Sequence, residues 1–162
     1  MKTEIAKNHK ITATLSKNTL LKSLTPDNLV NGEVRQIEDI LGKNYPSIAT
    51  IGKAHGHNFI EGLISAWIMW LNKHLNLSKP LQEDSVLLTS QMIIKDFYFL
   101  KFQDISLIFN GVLKGQYGEL YENLNTPKIL KIFQTYTDQR LNIAEEIQHN
   151  NHNQFINKLK NS

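Results

Sequence analysis

Apolar residues along this chain recur three and four positions apart, and no segment alternates convincingly with a period of two. The pattern predicts an all-α fold, a compact bundle of about five or six helices. Thr25-Pro26-Asp27 opens the ordered body, with proline tolerated near a helix start. Val34, Ile37, Ile40 and Leu41 then fall at helical spacing, and Gly42 is placed to stop that helix. After Tyr45-Pro46-Ser47 a longer face follows, including Ile48, Ile51, Phe59, Leu63, Trp67 and Trp70. Gly52, Gly56 and Gly62 weaken it, each costing about 1 kcal/mol relative to Ala. The spacing therefore predicts a break across 52–57 and a firm helix over 58–75.

Ser78 is the expected N-cap of the next helix, with Pro80 in its first turn and Glu83 and Asp84 favouring the dipole. Val86, Leu87, Met92, Ile93 and Phe97 are its apolar positions. A short break at Lys101-Phe102-Gln103 separates it from a helix opened by Asp104, striped by Ile105, Ile108, Phe109, Val112 and Leu113 and ending near Gly115. Asn125 or Thr126 caps the last helix, whose stripe runs from Ile129 through Phe133, Tyr136 and Ile143 to Ile147. Beyond His149 the run HNNHNQ is polar enough to fray, although Phe155, Ile156 and Leu159 offer a docked final turn. The organisation is a flexible basic arm over 1–25, a helical domain over 26–148, and a polar tail or frayed helix end over 149–162.

Composition sharpens this picture in two ways. The 162 residues are 41% hydrophobic, enough for a core, and contain no cysteine. Disulfides, Cys-ligated zinc, iron–sulfur clusters and thiol catalysis are thereby excluded. The longest clean apolar run, LISAWIMWL, is far short of the roughly 20 residues that span a bilayer, and the N-terminal stretch has no continuous apolar h-region. A cytoplasmic protein with no membrane partner is the expectation. Charge is uneven: Lys2, Lys7, Lys10, Lys17 and Lys22 against Glu4 give the first 25 residues +4 of a net +3, leaving −1 for the rest. The basic character belongs to the arm, and the body is close to neutral.

The chemistry-bearing residues cluster between 96 and 140. In the link Gly115-Gln116-Tyr117-Gly118, Gly115 suits a left-handed helix end and Gly118 a close backbone approach. Phe97, Tyr98, Phe102, Tyr117 and Tyr121 are the candidate partner-binding aromatics, because rings dominate interface hot spots. Lys114, Tyr117, Lys128 and Lys131 are the alternative, a cation-and-ring set suited to nucleic acid. The segment 101–140 is only +1, with Glu119, Glu122 and Asp138 offsetting its cations. The helices flanking residue 101 have helix-turn-helix size, yet the second offers only Asn110 and Lys114 to base edges. Trp67 and Trp70 read as core.

Metal and catalytic signals are weak. His55 and His57 point to different sides of a helix, and His57 with Glu61 lacks a second matching pair. His149 and His152 read as surface residues, and Asp96 and Asp104 as caps and solvated carboxylates. No HExxH, Gly-rich phosphate loop or GxSxG occurs. No catalytic residue, metal or cofactor is expected.

The order DFYFL, KFQDISLIF, KGQYGELYENLN and ILKIFQTYTDQR within residues 75–140 resembles an uncharacterised family of small helical proteins from phages and mobile elements of Bacteroides-type bacteria. A looser similarity, at the level of fold and length, is to small helical phage factors that load or inhibit a replicative helicase. No site residues are carried over from that family. The expectation taken from the chain as a whole is a non-enzymatic accessory or adaptor protein of a phage or mobile element acting in DNA replication or maintenance, whose partner is a host or element replication protein. A direct nucleic-acid-binding protein is one alternative; a structural or virion-associated protein that self-assembles into a homo-oligomer is another.

Overall fold

Among the described residues, four short helices precede four long ones. In the computed structural model, which describes residues 16–118 and 123–160, they are α1 (Lys17–Ser23), α2 (Pro26–Val30), α3 (Ile37–Leu41) and α4 (Ile48–His55), then α5 (His57–Leu75), α6 (Glu83–Asp96), α7 (Phe102–Leu113) and α8 (Thr126–Lys160). Among the described residues there is no strand, only isolated pairings of Ser47 with Lys101 and of Lys79 with Asn123. The fold is all-α, with more and shorter helices at the N-terminal end than periodicity predicts.

The helix boundaries follow from local hydrogen bonding. Ser16 caps α1 by accepting from the Thr19 amide at 3.2 Å, and Leu20 and Leu24 are buried. The basic arm therefore cannot extend to residue 25; residues 16–25 belong to the body, and residues 1–15 lie outside the described part. Asp39 accepts from the Arg35 and Gln36 amides, which starts α3 at Ile37 and leaves Val34 outside it. Gly52 is accommodated inside α4, and the break falls at Gly56, whose φ of +99° is open to glycine alone at little cost. Ser78 is not a cap: α6 begins five residues later behind Gln82. The intervening turn is held instead by Asn72, whose side chain both donates to the Leu81 carbonyl and accepts from its amide, each at 2.9 Å.

Two aromatic groups build the core. Trp67 of α5 is fully buried, packs on Phe102 and Phe109 of α7, and donates its indole N–H to the Leu24 carbonyl at 2.7 Å. That hydrogen bond ties α1 to the centre of the molecule. Phe133 of α8 lies 5.4 Å from Phe97 and 6.1 Å from Phe109, ring centre to ring centre. Helix α5 pairs with α6 and α6 with α8, while α2 and α3 cross the α7–α8 side. The turn 97–101 is stitched to α4, because the Ile48 and Ala49 amides donate to the Leu100 and Tyr98 carbonyls at 2.8 and 2.9 Å.

Helix α8 runs 35 residues, roughly 52 Å at 1.5 Å per residue. Asn125 caps it by accepting from the Lys128 amide at 3.0 Å, as the sequence suggests. It does not fray at His149; the described helix continues to Lys160.

Candidate functional site

The segment 31–36 between α2 and α3 is irregular and passes over α7 and α8. Beneath its outer side lies a cleft of about 570 Å3, lined among others by Arg35, Lys114, Gln116, Tyr117, Tyr136 and Gln139. Its volume is within the range of small-ligand and peptide sites. A smaller void of about 190 Å3, lined by Tyr45, Gln103 and Ser106, shares Gly32 and Val34 with it, so the segment is a strap with space on both sides.

The wall on the α7 side is shaped by glycine. A Cβ on Gly111 would lie 2.7 Å from the Gln116 side-chain oxygen and 2.7 Å from the Tyr117 ring. A side chain at 111 would require the Gln116 and Tyr117 side chains to move. The Gln116 amide donates to the Gly111 carbonyl at 2.9 Å, and Gly115 (φ +75°) and Gly118 (φ +89°) take left-handed conformations. Tyr117 is thereby held half-buried as one face of the cleft, and burial raises its phenol pKa above the ordinary value.

Behind one lining residue, Tyr136, lies a buried polar triad. Asp104 is 0% exposed, and both its oxygens are engaged. One accepts from the Lys101 amide at 2.8 Å and caps α7; the other accepts from the Tyr136 hydroxyl at 2.6 Å and from Arg140 Nε at 3.0 Å. Asp104 is thus the cap expected of it but not solvated: it pins α7 to α8. Burial above all, then the charge and hydrogen bond of Asp104, drives the Tyr136 pKa far upward and keeps the phenol neutral. Lys101 extends the network outward, donating to the Lys43 carbonyl at 3.0 Å and closing the end of α3. Its pKa is lowered by desolvation first and by Arg140 second, with Asp104 opposing.

Of the aromatics singled out from sequence, the structure removes two from any surface. Phe97 is buried against Phe133, and Phe102 is sealed beside Trp67, because α7 begins at Phe102 and turns that ring inward. Neither is a docking residue. Tyr98 is 55% exposed, but in the turn tied to α4 and not among the cleft-lining residues. Tyr121 lies outside the described residues. Tyr117 alone of the four described lines the cleft.

The cationic set is likewise divided. Lys114 lines the cleft beside Tyr117, whereas Lys128 folds back to donate to the Asn123 carbonyl and side chain at 3.1 and 2.6 Å, and Lys131 is exposed but not part of the cleft. Arg35 was missed in sequence, since its role depends on the strap crossing α7. With Arg35, Lys114 and Glu38 the charged lining is two positive against one negative. His57 Nε2 lies 3.5 Å from a Glu61 carboxylate oxygen one turn along the helix, and no group of three or more His, Asp or Glu among the described residues is arranged to hold a metal ion. No described helix is long and apolar enough to cross a membrane.

Compared with known proteins, the chain matches no protein-family model, no curated protein and no solved structure.

Proposed function

We propose that this protein is a non-enzymatic binding module that engages another protein through the Arg35–Lys114–Tyr117 cleft. The observation that carries this reading is the way the cleft is built. Gly111 leaves the space that the Tyr117 ring occupies, and the Asp104–Tyr136–Arg140 triad joins the two helices that form its walls. A site held by its own supporting shell binds without the cost of ordering its walls. Asp104 already accepts from three donors, so it serves as an anchor in this arrangement and not as a proton acceptor for a substrate.

Charge favours protein over nucleic acid as the occupant. Neutralising several phosphates needs a row of free cations. Here Lys128 is folded onto Asn123, and the chain from residue 16 onward sums to only +1. The setting proposed is an accessory factor acting in DNA replication or maintenance: the phage or mobile-element origin rests on the resemblance of residues 75–140, and the replication role on the looser similarity of fold and length.

Affinity capture with the full chain, with and without nuclease, tests the reading. A nuclease-resistant protein retained by the wild type and lost by the Arg35→Glu/Lys114→Glu variant supports it. Loss of all partners after nuclease supports direct nucleic-acid binding, and retention by the double variant rejects the cleft.

A further inference from the structure

Two buried polar side chains of α7 stand apart from the rest of the fold. Ser106 is 2% exposed and Gln103 is 7% exposed, and they lie three residues apart on one face of the helix. The Ser106 hydroxyl has no hydrogen-bond partner, and the Gln103 carboxamide bonds to none of the described residues. Elsewhere in this chain such groups are used. The buried hydroxyls of Thr89 and Ser90 donate to the Ser85 and Val86 carbonyls one turn back, at 2.6 and 2.8 Å. The Asn72 carboxamide donates and accepts at once. Thr137 is a second buried hydroxyl without a partner, but it lines neither space beside the strap.

Gln103 and Ser106 both line the void of about 190 Å3 on the inner side of the strap. Leu29 and Val34 give it an apolar wall, and Tyr45 closes it, with the Lys101 ammonium 5.9 Å from the centre of its ring. A cavity of roughly 150 Å3 takes up one benzene ring, and one water fills only roughly 30 Å3 of liquid. Waters against Leu29 and Val34 would forgo hydrogen bonds that a ligand with an apolar body does not need. No cation lines the void, and its one carboxylate, Glu33, is exposed. A charged ligand would lose its hydration there without a buried counter-charge. Polar groups left unpaired in a core cost stability, and a binding site is where a protein keeps them.

We propose that the space beneath the strap binds a small uncharged ligand bearing a carboxamide on a short apolar body. A carboxamide donates from nitrogen and accepts at oxygen, so one group can meet the Gln103 carboxamide both ways. Ser106, with a hydroxyl that both donates and accepts, extends the same recognition along the helix. The carboxamide comes either from a free molecule or from an Asn or Gln side chain of another protein. This site lies across the strap from the Arg35–Lys114–Tyr117 cleft and stands whether or not that cleft binds a protein.

Titrating the full chain with propionamide, which reproduces a glutamine side chain, tests this by nitrogen-15 NMR. Saturable shifts are expected at the Gln103 side-chain amide and at the amides of Gly32 and Val34, with a Kd of about 1 mM. Propionate and propylamine should bind at least about tenfold more weakly. Ser106→Ala and Gln103→Leu should each weaken propionamide by about tenfold, while their urea midpoints match or exceed that of the wild type. N-acetylglutaminamide binding as tightly as propionamide assigns the carboxamide to a protein side chain, and propionamide binding alone assigns it to a free molecule. Either result supports the site. The absence of saturation by about 100 mM overturns it. So do shifts that both variants leave unchanged, benzene binding more tightly than propionamide, or a urea midpoint lowered by Ser106→Ala, which would make the hydroxyl a structural group.

Discussion

The two halves of α8 obey different physics. From Ile129 to Thr137 the helix is held by what it touches: Phe133 meets Phe97 and Phe109, and Tyr136 and Arg140 converge on Asp104. From Glu145 onward no described side chain is buried, and the same backbone continues through a run of Asn and His. A single hydrophobic pattern fades along one element, and helix continues where that pattern predicts fraying. Element type can thus outlast the side-chain burial that accompanies it elsewhere in the same helix.

Core removal separates the halves most strongly. Phe133→Ala is expected to cost about 3–5 kcal/mol in denaturant unfolding, the usual loss for a large aromatic in a sealed core. Phe155→Ala, in the distal half, should change monomer stability by less than about 0.5 kcal/mol. Equal losses at the two positions would erase the distinction.

Next in size is the triad. Asp104→Asn keeps the shape but leaves the Arg140 charge uncompensated, and should cost about 3 kcal/mol. Urea midpoints of the variant and of the wild type measure it. An unchanged midpoint would mean that α7 and α8 are not joined here.

Alkaline pH probes the same anchor. The pKa of Tyr136 is raised in the fold above its ordinary 10.0, so its contribution is complete below about pH 10 and is lost as pH rises further. Each pH unit in that range removes about 1.4 kcal/mol. Tyr117 acts in the same direction, and Lys101, lowered from 10.5, opposes it by gaining stability as pH rises towards that value. The displacement of Tyr136 dominates. Thermal midpoints between about pH 9 and pH 11 should fall steeply in the wild type and less so in Tyr136→Phe.

A smaller stability effect than that of the triad comes at the cleft. Gly111→Ala gains helix propensity of about 1 kcal/mol but forces Tyr117 and Gln116 away, for a net loss near 1 kcal/mol. Its larger consequence is loss of partner capture at nearly unchanged stability. If capture survives, Tyr117 is not part of the recognition surface.

Much of this was legible before any coordinates. Period, Asn125 as a cap, Gly115 as a helix stop and Trp67 as core all follow from local rules that the structure obeys. The misassigned aromatics are instructive. Phe97 sits four residues after Ile93 on the buried stripe, so its own spacing argued for the core, whereas Tyr98 falls one step aside and is exposed. Phe102 depended on where α7 begins, which the Asp104 cap shifts by two residues. Arg35, the strap and the burial of Asp104 arise from segments far apart in sequence meeting at α7, and no periodicity carries that information.

Native-state hydrogen exchange along α8, at low and high protein concentration, tests the division most directly. Amides of the proximal half should be protected to the level of global unfolding, identically at both concentrations. Those of residues 145–160, where no described side chain is buried, should exchange much faster at both concentrations. Uniform protection along the whole helix, independent of concentration, would contradict the account.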